Sequence, residues 1–323
     1  MVKRRAFILA TLALASLASP ISAQTYPTRP VTIIVPFAAG GPTDTTARQI
    51  GVGLGAKLGQ TIVVENVSGG ASTIGTARAA QAAPDGYTLL LHNLAISANV
   101  SLYPKATFNV ERDLVPIAFV NNNALVLVGR KTLPANNLAE LTTWMKNNQV
   151  RFAYPGTGTT GHLATALFAQ ALGVKVDFIP YRGAAPAMQD ITAGHVDLFF
   201  ATTQQTAPSI NAGTIKAYGV TAKERMPQLP QVPSFVADLG PKLEILFWHA
   251  LFAPAKTPKP VQEKLNAVMQ EVLTDPQLIA TWAKTGVGVY PKAQLTQEAA
   301  AALLKSEIKR WGDVIRENNI TPE

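Results

Sequence analysis

The stretch VTIIVPFAAGGPTDTTAR, residues 31–48, passes from a β-branched apolar run through a glycine turn into helix-forming sequence. It predicts strand, loop and helix in that order. Gly40 and Gly41 let the backbone turn without a Cβ clash, Pro42 presets φ for a first helical turn, and Thr43 and Asp44 are placed to cap free amides. A loop of this kind presents N–H groups to an anion.

The same grammar returns in RFAYPGTGTTGHL, residues 151–163, where Gly156, Gly158 and Gly161 lead into the apolar helix HLATALFAQALG. Laying one loop over the other aligns Gly59 with Gly173 and Gly69 with Gly183. In the first copy a helix runs to Gly59, TIVVEN is a strand, Ser68-Gly69-Gly70 a loop, Thr73 to Ala83 a helix and YTLLLHN a buried strand. In the second, VKVDFIPY is a strand, Arg182-Gly183-Ala184 a loop, PAMQDITAG a helix and HVDLFFATT a strand. A βαβαβ core is thus predicted twice. Sheets built this way are parallel, and their ligands lie beyond the carboxyl ends of the strands, where both glycine loops sit.

Further along, residues 114–120 and 125–129 read as two β-rich runs, Leu138 to Asn147 as an amphipathic helix, and MPQLPQVPSF as a surface connection. LEILFWHALFA, residues 243–253, reads as a strand re-entering a core, followed by helices over Val261 to Leu273 and Thr296 to Asn318. The expected fold is α/β, two βαβαβ lobes joined by two crossover strands near residues 120–125 and 245–253. The expected division is 24–122 for the first part of lobe one, 123–246 for lobe two, and 247–323 for the return segment and C-terminal helices of lobe one.

The N-terminus has the three-part layout of a secretory signal peptide: Lys3, Arg4 and Arg5, an apolar run from Ala6 to Ala18, and the small-residue stretch 19–23. Cleavage after Ala23 is expected. The apolar run falls short of the ~20 residues that span a bilayer, which disfavours a retained anchor. Losing three basic residues lowers the formal charge of +8 by three. The remaining lysines and arginines are scattered, which excludes a nucleic-acid footprint. There is no cysteine, so the roughly 300 mature residues rest on burial alone, most comfortably as two domains.

Gly156, Gly158 and Gly161 also satisfy G-x-G-x-x-G, with Asp177 at the distance of a ribose-binding acid, so a dinucleotide-dependent oxidoreductase is the alternative reading. A purely structural turn is the third. The four histidines, His92, His162, His195 and His249, have no ligand spacing, and no G-x-S-x-G elbow or S-x-x-K occurs. No catalytic residue, metal or cofactor is expected. His92 and Asn93 end one strand and Thr202 and Thr203 another on the predicted cleft side, and Tyr181 closes the strand before loop 182–184. Phe247, Trp248 and His249 form either a cleft wall or core, with core favoured for Trp248. Arg48 and Arg182 are possible carboxylate clamps, but none is required. An anion gains up to ~2 kcal/mol at a helix N-terminus and ~1.5–3 kcal/mol per charge-assisted hydrogen bond, against about 8 kcal/mol for micromolar binding.

VPFAAGGPTDTTAR, LGQTIVVEN, APDGYTLLL, IPYRGAAPAMQDITAGHVDLFF and FWHALFAPAKTPKPV, in this order, resemble the signatures of the Bug family, the solute receptors of tripartite tricarboxylate transporters. The resemblance runs the whole mature length. It implies a two-lobed periplasmic binding protein of type II-like fold, not an enzyme, whose hinge closes on a small organic carboxylate, a dicarboxylate or an aromatic carboxylate, for delivery to transporter membrane subunits. A monomer is expected. On the matching positions it implies Phe37, Ala39, Gly40, Thr43 and Asp44 of loop one, with Gly156, Thr157, Thr159 and Thr160 of loop two, as binding residues. The family's amino-acid receptors carry an acid near the end of the lobe-two strand, where this chain has Phe200-Ala201-Thr202-Thr203. That departure disfavours an amino-acid ligand.

Overall fold

The computed structural model describes residues 26–321; the expected signal peptide lies outside the described residues. Val31–Val35 forms β1, whose β-branched residues bury both faces of a central strand. Gly40 takes a left-handed φ of 79°, and α1 (Pro42–Leu58) starts at once behind Gly41, with Pro42 in its first turn. Then follow β2 (Ile62–Asn66), α2 (Thr73–Ala80), β3 (Thr88–Asn93), α3 (Ala95–Leu102) and the one-turn α4 (Val110–Asp113).

Next comes β4 (Leu114–Arg130), and it corrects the reading of two separate β runs. It is a single strand of 17 residues. Asn121, Asn122 and Asn123 do not interrupt it, because their backbones stay paired with the return strand on one side. Asn121 and Asn123 are themselves buried and hydrogen-bonded.

The second copy runs through α5 (Leu138–Asn147), β5 (Arg151–Tyr154), α6 (Thr160–Leu172), β6 (Asp177–Pro180), α7 (Ala184–Ala193), β7 (Leu198–Thr202), α8 (Thr203–Asn211), β8 (Ile215–Val220) and α9 (Phe235–Leu239). The chain returns in β9 (Leu246–Pro254) and ends with α10 (Lys259–Leu273), α11 (Pro276–Ala283), the short β10 (Val287–Gly288) and α12 (Gln297–Glu317). No helix among the described residues is long and apolar enough to cross a membrane.

The fold is two-lobed α/β. In lobe one the strands lie in the order β2-β1-β3-β9-β4-β10, with β1, β2 and β3 parallel and β9 antiparallel to both neighbours. In lobe two the order is β6-β5-β7-β4-β8, with β5, β6 and β7 parallel and β4 antiparallel to β7 and β8. Each lobe therefore has three parallel strands followed by one strand lent through the crossover. The half of β4 from Leu114 to Ala124 pairs with β9 in lobe one, and the half from Leu125 pairs with β7 and β8 in lobe two. The return meets the crossing through Thr221, just past β8, whose carbonyl accepts from Ile245 N–H (3.1 Å) and whose amide donates to Leu125 O in β4 (2.9 Å).

The internal repeat is visible in the backbone. Gly59 and Gly173 end α1 and α6 as left-handed caps at φ 68° and 62°, and Gly69 and Gly183 share φ values of 127° and 137° that only glycine adopts without strain. One apolar cluster belongs to lobe one, around β1, α1, α10 and Trp282, and another to lobe two, around β7 and α7. A third runs beneath both, from Phe152, Phe168 and Phe200 to Trp248 and Trp311. Trp248 is core, as expected: its indole N–H donates to Glu307 (2.8 Å), which also accepts from Trp311 (3.1 Å). The C-terminal helix thereby fixes the return strand.

Candidate functional site

Where the two glycine loops face each other there is a small cavity of about 40 Å³, lined from both lobes. Lobe one contributes Phe37, Ala38, Gly41, Pro42, Thr43, Asn93 and Phe247; lobe two contributes Leu125, Pro155, Thr159, Thr160, Gly161, Ala184, Phe200, Ala201, Thr202 and Gln205. No lining side chain is charged. Four helices begin at its wall: α1 at Pro42, α6 at Thr160, α7 at Ala184 and α8 just after Thr202. First-turn amides have no carbonyl within their own helix, and the aligned peptide dipoles leave partial positive charge there. The hydroxyls of Thr160 and Thr202, 1% and 2% exposed, find no partner within the protein, and neither does Gln205 Oε1. A neutral wall with unspent donors suits an anion.

Of the residues expected at the site, Phe37, Thr43, Asn93, Thr159, Thr160 and Thr202 line this cavity. Ala39 and Gly40 are exposed on the outer side of loop one, and Gly40 borders a different surface hollow beside α7. Gly156 and Tyr181 line an adjoining hollow of about 270 Å³ that also takes in Gly69 to Ser72 and Arg182, and that shares Phe37, Pro155 and Thr159 with the central cavity. The Tyr181 hydroxyl is taken by Asp190 Oδ2 (2.6 Å). Thr157 turns away, its carbonyl accepting from Tyr103 of lobe one (3.3 Å).

Asp44 does not cap α1, since the N-cap is Gly41 and no side chain caps it. Its carboxylate reaches back to the Gly40 amide (2.9 Å) and holds Arg48 through two contacts of 3.0 and 3.1 Å. Burial alone would raise this carboxyl, but the bonds from Arg48 and Gly40 hold it below the usual carboxylate range. Arg48 is therefore a brace for the loop and is not a clamp. Arg182 is exposed at the rim.

Behind the wall lies a buried polar network. Thr43 Oγ1 accepts from Asn93 Nδ2 (3.1 Å) and meets His249 Nε2 (3.2 Å), while His249 Nδ1 meets Asn121 Oδ1 (2.7 Å). His92 accepts the Asn93 amide at Nδ1 (2.8 Å) and bonds Ser72 Oγ through Nε2 (3.1 Å), so it supports the cavity from behind without lining it. Desolvation drives both histidines down to about 3, His249 also feeling His92. Both are neutral at ordinary pH. The Thr159 hydroxyl is spent on Gly156 O (2.6 Å), so of the two threonines that open α6 only Thr160 keeps a free proton.

Gln205, Phe200 and Ala184 were not foreseen. Gln205 sits in α8, a helix with Pro208 inside it and no apolar period to announce it. Ala184 was foreseeable from Gly183, the exact counterpart of Gly69. Among the described residues no group of His, Asp or Glu side chains could hold a metal ion.

The family model described as "Tripartite tricarboxylate transporter family receptor" matches residues 46–320. A protein of Agrobacterium vitis, "UPF0065 protein in the TAR-I ttuE-ttuC' intergenic region", is 38% identical over 297 residues, covering 91% of this chain and 86% of its own. The solved periplasmic binding protein BugD is 37% identical with a TM-score of 0.89, over 92% of this chain and 100% of its own. MatC of Rhodopseudomonas palustris, solved with bound malate, is 34% identical with a TM-score of 0.85, over 90% and 100%. The chain belongs to the receptors of tripartite tricarboxylate transporters, the Bug family of periplasmic binding proteins, a family of solute receptors and not of enzymes.

Proposed function

We propose that this chain is a periplasmic receptor that captures a small organic carboxylate between its lobes and delivers it to the membrane subunits of a tripartite transporter. The observation that carries this reading is the meeting of four helix starts from both lobes on a cavity without a charged side chain. Each start contributes typically ~0.3–1 kcal/mol toward an anion, more where it is partly buried. The carboxylate is held by the first-turn amides of α1 and α6 and by the free hydroxyls of Thr160 and Thr202. Phe37, Asn93 and Phe247 shape the space around it. Gly40, Asp44, His92, Gly156 and Thr157 act one layer out, by fixing the loops, and Thr159 lines the cavity with its hydroxyl spent on Gly156 O. The malate bound in MatC supports the ligand class.

On this reading the leader directs the chain to the periplasm and is cleaved after Ala23. Residues 24–122 and 247–323 move as lobe one and 123–246 as lobe two. The hinge lies where β4 passes from one sheet to the other and where the chain returns into β9, because two connections absorb a rotation that packed cores do not. The receptor works as a monomer.

A thermal-shift panel of mono-, di-, tri- and aromatic carboxylic acids, run beside NAD and NADP, tests the reading. At about a hundred times Kd a ligand stabilises by ~2.7 kcal/mol, which raises Tm by about 5 °C or more in a chain of this size. At least one acid is expected to do this and neither nucleotide is. A shift with NAD or NADP and none with any acid overturns the proposal in favour of the oxidoreductase.

A further inference from the structure

The buried network behind the cavity fixes which atoms the ligand can meet. Asn93 Oδ1 accepts the Ala95 amide (3.0 Å), which leaves its Nδ2 as the donor to Thr43 Oγ1. Asn121 Oδ1 can only accept, so His249 Nδ1 carries the proton between them (2.7 Å). His249 is fully buried and neutral, its pKa driven down to about 3. Its Nε2 is therefore a bare acceptor, and the Thr43 hydroxyl donates to it (3.2 Å). The single proton of Thr43 is spent inside the protein, and one of its two lone pairs is taken by Asn93. Thr43 lines the cavity, and what its hydroxyl has left to offer is the second lone pair.

We propose that the ligand is a hydroxycarboxylate, with its carboxylate on the first-turn amides of α1 and α6 and the free hydroxyls of Thr160 and Thr202, and its hydroxyl group donating to Thr43 Oγ1. This deepens the carboxylate reading above and rests on it. The two walls of the cavity differ in polarity. Thr160 and Thr202 of lobe two keep unspent protons that suit carboxylate oxygens, whereas Thr43 of lobe one offers only an acceptor. Gln205 Oε1, buried and without a partner in the same cavity, is a second acceptor awaiting a donor.

An unsubstituted carboxylate brings no proton to either acceptor and leaves both desolvated and unpaired, which is costly in a closed site. An ammonium would supply protons, but no acid lines the cavity to balance its charge: Asp44 is turned to Gly40 and Arg48. A neutral hydroxyl satisfies both conditions. His249 and Asn121 are positioning residues in this scheme. They touch no ligand and act by holding the Thr43 proton away from the cavity.

Calorimetry on the mature chain with matched pairs, L-malate and succinate, L-lactate and propionate, citrate and tricarballylate, reads the selectivity directly. In at least one pair the hydroxylated member is expected to bind about tenfold to a hundredfold tighter. Thr43→Val keeps the shape of the side chain and removes the lone pairs, so the ratio should fall to near unity, while Thr43→Ser should retain it. His249→Phe frees the Thr43 proton to turn toward the ligand. The ratio should then shrink through a gain for the unsubstituted acid, which mere loosening of the fold would not produce. Equal or tighter binding of the unsubstituted member in every pair overturns the proposal, as does a ratio that survives Thr43→Val. An equal loss for both members in folded His249→Phe overturns the orienting role. Failure of every acid to bind overturns the carboxylate reading itself.

Discussion

Gly158→Val is expected to abolish ligand binding while leaving the fold intact. Gly158 has φ 76°, a left-handed conformation, and a Cβ built there would lie 2.9 Å from Leu102 Cδ1 and 3.0 Å from Asn99 Oδ1. Those two residues belong to α3 of lobe one, whereas Gly158 belongs to the loop of lobe two. The side chain would thus be a wedge between the lobes just where they close. The left-handed backbone adds strain of order 1–3 kcal/mol, and overpacking adds about as much again. A loss of about 3 kcal/mol or more is expected, over a hundredfold in affinity. Scattering should show wild type compacting when ligand is added and the variant remaining extended. Arg182→Ala, at the exposed rim, should change affinity by less than about fivefold. Tight binding by folded Gly158→Val, or loss of binding in Arg182→Ala, would contradict the two-loop arrangement.

The second large effect concerns stability. Asp197 is buried in lobe two and accepts from Arg130 Nε (2.9 Å), from the Arg151 amide (2.9 Å) and from the Arg151 guanidinium (3.1 Å twice). It ties the end of β4 to β5. Asp197→Ala leaves Arg130 half-sequestered and the Arg151 amide unpaired, which should cost about 3 kcal/mol, the low end for a broken buried pair because Arg151 is half exposed. Tm should drop by roughly 6–12 °C. Burial alone would raise the Asp197 carboxyl, but hydrogen bonds from Arg151 and Arg130 hold it below its ordinary range. A depressed folded-state pKa gives stability that is complete above the unfolded value near 3.9 and is lost as pH falls through the folded one. Wild type should therefore destabilise on acidification below about pH 4, and Asp197→Ala should lose less over that interval. Parallel acid titrations of the two proteins would contradict this.

Much of the fold was legible because glycine punctuates it. Positions such as Gly59, Gly69, Gly173 and Gly183 demand conformations that other residues avoid, so their spacing betrayed the repeat and, with it, the two lobes. The two loops at the cleft were legible for the same reason. The crossover was only half legible. Asn121-Asn122-Asn123 interrupts two apolar runs and looks like a break, yet the triplet stays in the ladder because β9 pairs along it and because His249 and Thr203 bond its side chains. A hydrophobic pattern does not reveal polar groups satisfied from elsewhere in the chain.

The site was legible to the level of the loops and no further. That Thr43 lines the cavity could be anticipated from its place in α1, but that its proton is spent on His249, 206 residues away in the chain, could not. The sequence reading sets Thr43 and either Thr159 or Thr160 against the carboxylate; in the structure the Thr43 hydroxyl meets His249 and the Thr159 hydroxyl donates to Gly156 O, while Thr160 Oγ1 has no partner in the protein. α8 escaped notice because TQQTAPSIN has no apolar face and carries a proline, and with it went Gln205.

The central claim is that a carboxylate is held by helix starts and neutral hydroxyls, with no charged side chain opposite it. Calorimetry comparing a bound acid with each of its methyl monoesters tests this most directly. Esterifying the docked group removes its charge and one acceptor oxygen, so affinity should fall by at least ~1.5–3 kcal/mol, the range of a hydrogen bond to a charged group. Unchanged affinity for the ester at every position would contradict the account.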